Sequence, residues 1–293
     1  MSRDALQSLT ITARDRQWHA AFIDYVPKVF PRSSFRRWYQ LGGWDEGYCA
    51  FALASGTSIV ANASLQRMKI VLRGEEITGW QLGAVGVVPE WRGRGLQRQI
   101  MQRLLGGVGE KDIVFLFAND TVLDFYPLFG FRRVGEWLFA AEHRVEPAGE
   151  PLRVLSIERQ EDRALLARVA ATAAPTTVEF GARQYGGVLL WYWANFYDGC
   201  FHYCEAEDAI VVAEHDGMIL RICDVLARTA FDLRSYLPRI AKTAAQRIEF
   251  GFTPGAWWPE ARPVADHVDS PLFVRGAHTM PAAPFKFPML AQT

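Results

Sequence analysis

The sequence predicts an α/β (α+β) fold with two mixed, mostly antiparallel sheets, each flanked by helices. Three observations support this prediction. The chain has 293 residues, more than one hydrophobic core of ordinary size accommodates. Its first half has the pattern of a strand meander followed by a helix and a strand, and that order recurs in the second half. Half of the residues are hydrophobic and 13% are aromatic, so two cores can be filled.

The first half predicts the following elements in order. A strand covers 8–13, and helices cover 15–29 and 33–40. Hairpin strands cover 48–54 and 58–72 around Ser55-Gly-Thr57, and a third strand covers 77–88. A helix covers 96–105, where Leu96, Ile100 and Leu104 recur at the spacing of one buried face and Gly106-Gly107 provides a C-terminal stop.

The segment between this third strand and this helix is the most informative part of the chain. Gly93 and Gly95 remove side chains where a ligand could approach the backbone, just before a helix whose first amides can bind an anion. Arg92, Arg94 and Arg98 add positive charge. Many surface turns before helices look similar and bind nothing. The Rossmann pattern is excluded because position 98 is arginine, and no Gly-Lys-Ser or Gly-Lys-Thr of a Walker motif follows.

The run 85–105 resembles the coenzyme A signature of the GNAT superfamily of N-acetyltransferases. The matching text is Val87-Val-Pro89 followed by Arg92-Gly-Arg-Gly95 and an amphipathic helix. A second family signature lies downstream: a buried strand over 112–119, a short helix over 121–129, and Asp124-Phe-Tyr-Pro-Leu-Phe-Gly-Phe131, which opens another strand. Gln97 departs from the family, which more often has Gly or Ala there, so the diphosphate contact at this position is either looser or made by the amide alone.

The resemblance implies an acetyl-CoA site and specific residue roles. The Val87 amide is expected beside the thioester oxygen, where it would stabilise the oxyanion. Tyr126 matches the usual general acid, and Asn119 matches a residue that contacts the pantetheine arm. The implied cofactor-binding set is Val87, Val88, Arg92, Gly93, Arg94, Gly95, Leu96, Gln97, Arg98 and Asn119.

Each role has a structural alternative. Tyr126 could be a helix residue packed beside Phe125 and Phe129, and Asn119 is also a suitable helix N-cap. Glu90 fits a solvated acid at a helix start better than a base. The general base is unassigned: the candidates are Glu46, Glu75, Glu76, Asp124 and a chain of water molecules.

A Pro- and Gly-rich stretch over 145–151 is the best linker candidate, so residues 1–145 are predicted as the catalytic domain and 152–293 as a second, degenerate GNAT-like domain. In the second unit, strands are predicted over 152–157, 201–205, 209–215, 218–226 and 247–252, with helices over 162–171 and 233–247. The turn between Asp224 and Asp232 has no glycine and carries acids, so we expect no diphosphate there and a structural or acceptor-shaping role for this unit. The tandem arrangement is similar to that of multi-domain Eis-type acetyltransferases.

Two side-chain clusters of the second half allow more than one interpretation. Cys200, His202 and Cys204 alternate along a strand, but side chains about 7 Å apart chelate a metal poorly, so buried cysteines are favoured and no metal is expected. The tryptophans form either core or a wall of an acceptor cleft: Trp191, Trp193, Trp257 and Trp258.

Charge and cysteine usage limit the partners. Lysine plus arginine equals aspartate plus glutamate at 32 each, which favours neither nucleic acid nor an anionic membrane. Four irregularly spaced cysteines and the lack of a signal-like or membrane-spanning stretch predict a cytoplasmic protein. A homodimer is compatible with the sequence.

The sequence therefore predicts an acetyl-CoA dependent N-acetyltransferase that transfers the acetyl group directly to a primary amine of a small molecule. Two alternatives stay open: a non-catalytic acyl-CoA binding or sensing protein, and a transferase acting on a protein N-terminus or lysine.

Overall fold

The computed structural model describes residues 6–109, 111–264 and 270–293, which form two sheets with helices on both. The strands are β1 Gln7–Ile11, β2 Tyr48–Ser55, β3 Ser58–Leu72, β4 Glu75–Val87, β5 Ile113–Phe117, β6 Arg132–Val134, β7 Leu138–Val145, β8 Arg153–Val154, β9 Phe180–Arg183, β10 Phe201–Cys204, β11 Ala209–Asp216, β12 Ile219–Leu226, β13 Ala245–Phe250, β14 Arg262–Val264 and β15 Leu272–Arg275. The helices are α1 Arg16–Val29, α2 Arg36–Gln40, α3 Leu96–Leu105, α4 Gln160–Thr172, α5 Gly186–Asn195 and α6 Leu237–Ile240.

The two sheets have equivalent strand orders. The first is β1-β2-β3-β4-β5-β15-β6, with β9 added on the far part of the long strand β3. The second is β14-β7-β13-β12-β11-β10-β8. In each sheet a single parallel pair, β4 with β5 or β12 with β13, follows an antiparallel meander. The predicted fold class is therefore confirmed, including the recurrence of meander, helix and strand.

The sheets exchange one strand each. β15, from the end of the chain, lies between β5 and β6 of the first sheet. β7, from before the predicted linker, occupies the equivalent place between β13 and β14 of the second. The stretch 146–152 that joins β7 to β8 contains no helix or strand. The division into domains at 145 and 152 stays a prediction, but the sheets themselves do not separate at that point.

Three buried clusters fill the molecule. One lies between β2, β3 and the helices α1 and α3, and one on the outer side of the second sheet. The third lies between the two sheets and contains residues of both halves together with α4, α5 and the tail at 285–291. In that tail, Phe285, Phe287 and Leu290 are buried.

Two predicted helices are wrong. The segment 121–129 forms two short 3-10 turns, Asp120–Val122 and Tyr126–Phe129, because Pro127 lacks the amide that a continuous helix needs. The segment 233–247 forms a 3-10 turn, Leu233–Ser235, and the four-residue α6, in which Pro238 lies in the first turn, where its missing amide costs least. From Ala245 the chain pairs with β7 and β12 instead, so sheet pairing overrides the helical periodicity.

Candidate active site

β4 and β5 separate where the predicted acyl site lies. They pair in parallel only from Gly79 to Gln81, and among the described strands nothing pairs with β4 beyond Gln81 on that side. A bulge opposite Ala63 of β3 adds to the distortion, with Ala84 in the left-handed region at φ 49°. We call the gap between the two strands the β4–β5 opening.

The Val87 amide points into this opening. The Val88 amide donates to the carbonyl of Val60 in β3 at 3.0 Å. Backbone groups of neighbouring strand residues point in opposite directions, so the Val87 amide and carbonyl face away from β3. Consistent with this, the Val87 carbonyl accepts a hydrogen bond from Arg92 Nε at 3.1 Å. An unpaired strand amide beside an acyl carbonyl can stabilise the negative charge that develops on oxygen.

Val88 is placed differently from the other members of the predicted cofactor-binding set. Its amide donates a hydrogen bond to the Val60 carbonyl, and its carbonyl accepts one from the Trp91 amide at 2.9 Å. Its side chain is buried. Val88 therefore has no free backbone group to offer a ligand, and its contribution is to hold β4 against β3.

The turn 90–95, the glycine turn, is open and leads directly into α3. Gly93 and Gly95 have φ of 72° and 75°, and a Cβ added at either would meet no atom within 4 Å. Any other residue would be strained in this left-handed conformation. The space above both glycines is therefore free for a ligand.

The first turn of α3 supplies hydrogen-bond donors at the same place. The Gln99 amide bonds the Gly95 carbonyl at 3.2 Å and is the first amide of the helix with an acceptor. Among the described residues, the amides of Leu96, Gln97 and Arg98 have none, as expected at a helix N-terminus. Three free amides and the positive end of the helix dipole favour an anion.

The side chains around the glycine turn divide into two groups. Arg92, Arg94 and Arg98 are exposed, and Arg94 is held over the Trp91 ring with its Cζ 4.6 Å from the ring centroid. Leu96 is buried in the core, and the Gln97 side chain turns inward to donate to the Asn62 carbonyl at 3.3 Å. Leu96 and Gln97 can therefore contact an anion only through their amides.

Tyr126 and Asn119 lie on the other side of the β4–β5 opening. Tyr126 is 6% exposed and packs against Phe125, Phe131 and Phe273, the last of these from the exchanged strand β15. Burial raises the pKa of Tyr126 to about 12, so its phenol is protonated at neutral pH. Asn119 is exposed, stands where a helix N-cap would, and makes no capping hydrogen bond with its side chain.

A cavity of about 220 Å³ occupies the part of the β4–β5 opening beside residues 81–85, and we call it the central cavity; Val87 lies just beyond its lining. β4 lines it from Gln81 to Val85, and Asn119 and Tyr126 line the opposite side. Its other walls come from the segment after α1, from α2 and α5, including Trp191, and from β2 and β3, which contribute Tyr48, Ser64 and Gln66. Of the four tryptophans singled out in the sequence, Trp191 lines the cavity, whereas Trp193, Trp257 and Trp258 are buried in the cores.

Sequence reasoning missed the tail residue Thr293, which also lines the central cavity. Its amide donates to Gln81 Oε1, and Gln81 Nε2 donates to the Ala291 carbonyl at 2.9 Å. A Cβ at position 83 would lie 2.7 Å from Thr293 Oγ1, so Gly83 is required for this approach. In the sequence, only the hydrophobic residues of 285–291 suggest that the tail is buried, and they do not identify the residues that it contacts.

The four carboxylates considered as bases all lie outside the cavity lining. Glu46 is exposed opposite Arg14, and Glu75 and Asp124 are exposed. Glu76 pairs with Lys69 at 2.8 Å and with Arg183 at 3.1 Å, and the Lys69 contact lowers its pKa. No side chain of this set can take a proton from an amine in the cavity directly.

Cys200 lies directly before β10, and His202 and Cys204 lie within it. Among the residues that the structure describes, no group of three or more His, Cys, Asp and Glu side chains is arranged to hold a metal ion. His202 and Cys204 are buried, and burial lowers the pKa of His202 to about 4. Across the same described residues, no helix is long and apolar enough to cross a membrane.

Comparison with known proteins agrees with this geometry. Residues 11–134 match the family model described as the acetyltransferase (GNAT) domain. A search of curated proteins found no match.

Solved structures resemble the chain over most of its length. A GCN5-related N-acetyltransferase from Kribbella flavida superposes with a TM-score of 0.56 at 16% identity, covering 92% of this chain and 71% of the other. Eis1 from Mycobacterium abscessus superposes with a TM-score of 0.54 at 14% identity, covering 92% of this chain and 73% of the other. A GCN5-related N-acetyltransferase from Anabaena variabilis superposes with a TM-score of 0.52 at 12% identity, covering 92% of this chain and 72% of the other. At these identities the likeness concerns the fold, and it extends through both sheets.

Proposed function

We propose that this chain, whose residues 11–134 match the acetyltransferase (GNAT) domain model, transfers an acetyl group from acetyl-CoA to the primary amine of a small molecule. The observation that carries the proposal is the alignment of three features along the β4–β5 opening. These are the glycine turn with its free helix amides, the inward-facing Val87 amide, and the buried phenol of Tyr126.

The residues fit acetyl-CoA part by part. The amides of Leu96, Gln97 and Arg98, with the exposed arginines of the turn, provide donors and charge for a diphosphate. Between the strands, Asn119 and the edge of β4 can bind the amide groups of a pantetheine arm. The central cavity then receives the thioester end and the acceptor together.

The chain's groups have distinct tasks in the transfer itself. The amine nitrogen attacks the thioester carbonyl carbon, the new C–N bond forms, and the C–S bond breaks. The Val87 amide stabilises the charge on the carbonyl oxygen. Tyr126 donates its proton to the sulfur as the C–S bond breaks, because its phenol is protonated at neutral pH, and the resulting phenolate, the stronger base of the two, regains a proton through water. The nitrogen's own proton leaves through water, since none of the side-chain carboxylates considered lines the cavity.

Binding of the diphosphate is tested by Gly95→Glu, which places a carboxylate over the free amides. We expect the dissociation constant for acetyl-CoA to rise at least roughly 100-fold, from lost hydrogen bonds and charge repulsion. Gly74→Glu is the matched control, because Gly74 has φ 84° and equally open space in the β3–β4 turn, remote from the site. An unchanged constant for Gly95→Glu would contradict the proposed site.

Catalysis is tested by a screen of primary amines for thiol release from acetyl-CoA. Turnover with at least one amine supports the transferase. Tight binding of acetyl-CoA without turnover across the panel would instead identify an acyl-CoA sensor, and turnover restricted to peptide N-termini or lysines would identify a protein acetyltransferase.

A further inference from the structure

Aromatic residues form the largest group in the walls of the central cavity. Among the described residues, the walls also contain uncharged polar residues but no charged side chain: Ser33, Ser64, Gln66, Gln81, Asn119 and Thr293. Seven of the lining residues are aromatic, three of them from around α2 and α5: Phe35, Trp38 and Trp191. We propose that the acceptor is an amine attached to an uncharged aromatic body, and that Phe35, Trp38 and Trp191 determine this specificity. The inference rests on the proposed acetyl transfer and adds the class of acceptor to it.

The aromatic wall is held in place before any acceptor binds. Trp38 Nε1 donates to the Gly187 carbonyl at 2.8 Å, which ties the start of α2 to the start of α5. The Phe35 ring lies edge-on to Trp38 at 5.2 Å between centroids and packs against Trp191 at 6.0 Å. Rings fixed in this way lose little conformational entropy when they pack against a ligand.

Aromatic ligands gain from such a wall in a specific way. Edge-to-face and offset contacts with the rings that line the cavity add to the burial of apolar surface. A flat aromatic body attached to the amine can occupy this wall while the nitrogen reaches the β4–β5 opening beside Val85 and Tyr126.

A polycationic acceptor is disfavoured by the same surface. Within the described part of the chain, no Asp, Glu, Lys or Arg side chain lines the cavity. The carboxylate of Asp45 lies just behind the wall, where it accepts from the Gly47 amide at 2.7 Å and is separated from the cavity by Gly187. Several ammonium groups entering the cavity would lose water without gaining side-chain ion partners, which costs free energy.

The test compares three primary amines at one pH with the full-length protein: phenethylamine, its saturated counterpart 2-cyclohexylethylamine, and spermidine. We expect kcat/KM to be highest for phenethylamine, and roughly tenfold or more above that for spermidine. Equal or better use of spermidine, together with normal acetyl-CoA binding, would overturn the aromatic class and leave the acetyltransferase proposal intact. No turnover of any amine by a protein that binds acetyl-CoA would overturn both.

Variants of the wall provide the second arm. Trp191→Leu and, at the neighbouring ring, Phe35→Leu should each raise KM for phenethylamine about tenfold, with KM for acetyl-CoA unchanged. The increase in KM should be smaller for 2-cyclohexylethylamine, which has no aromatic ring and cannot make ring-edge contacts. Trp137→Leu removes an exposed tryptophan outside the cavity and should change neither constant. Equal increases in KM for both amines in the wall variants would show that these residues only fill space. This result would overturn their assignment as determinants of aromatic specificity.

Discussion

Tyr126 is buried, and because of this burial its phenol is only weakly acidic. The rings of Phe125, Phe131 and Phe273 exclude water from it, and this burial raises its pKa to about 12. The Tyr126 phenol therefore stays neutral at pH values well above the physiological range. In the proposed transfer the proton is therefore still on the phenol when the sulfur departs, although the raised pKa also makes the phenol a weaker acid.

Replacing this phenol gives the first residue-scale prediction. Tyr126→Phe should lower kcat by about 10²–10⁴-fold, because the leaving sulfur then takes its proton from water. The dissociation constant for acetyl-CoA should stay unchanged, since the ring and its packing are kept. Tyr236→Phe, directly before α6 and outside the cavity lining, is the control. Wild-type kcat in Tyr126→Phe would show that this tyrosine only packs.

Single residues of the site were predictable to different degrees. Gly93, Gly95 and Tyr126 stood out because their chemistry depends on local sequence: a turn, a helix start and a short signature. Val88 looked equivalent to Val87 in the sequence, but the alternation of strand hydrogen bonds gives them opposite directions. Thr293 could not be foreseen, since its place depends on contacts 212 residues apart along the chain.

At the scale of elements, a buried acid joins β12 to α5. The Tyr185 hydroxyl donates to Asp224 Oδ2 at 2.7 Å, and the Val225 amide donates to Oδ1 at 2.8 Å. Asp224 lies at the bulge of β12, the equivalent of the β4 bulge, and Tyr185 directly precedes α5, whose Trp191 lines the central cavity. Burial raises the pKa of Asp224 from 3.8 to about 7.

This pKa predicts how stability depends on pH. Since the folded state binds the Asp224 proton more tightly than the unfolded chain, its contribution is complete below about pH 4 and is lost as pH rises through about 7. Asp224→Asn should therefore be less sensitive to an increase from pH 5 to pH 8, as measured by the urea midpoint. Asp216→Asn, exposed on the same hairpin, should keep the wild-type slope. Identical slopes for Asp224→Asn and wild type would contradict the assignment.

Elements were predicted well where local pattern and final pairing agree. The long helices α1 and α3 and the β2–β3–β4 meander match because amphipathic periodicity and turn residues specify them. The helices predicted at 121–129 and 233–247 failed at Pro127 and Pro238, where periodicity alone overlooked the missing amides. β15 had a short apolar signal between Pro271 and Gly276, but nothing local identified its neighbours.

At the scale of the whole molecule, the strand exchange makes each sheet dependent on both halves of the chain. Without β15, β5 and β6 of the first sheet lack a shared neighbour, and without β7, β13 and β14 lack theirs. Unpaired strand edges buried in a core leave amides and carbonyls without partners, which is costly.

Separate halves should therefore fail to fold. We expect a fragment of residues 1–151 to show no cooperative urea transition and no acetyl-CoA binding, and mixing it with a 152–293 fragment to restore both. The full chain should unfold in one transition by tryptophan fluorescence. A cooperative, acetyl-CoA-binding 1–151 fragment would contradict this dependence.

The exchanged strand also constrains how the protein is made on the ribosome. β5 is synthesised long before β15, so the growing chain presents an open, apolar strand edge until residue 275 has emerged. At ordinary elongation rates this lasts on the order of ten seconds. During that interval nascent chains on one message can pair edge to edge, and a chaperone that shields β5 would raise the yield of native protein without touching its final stability.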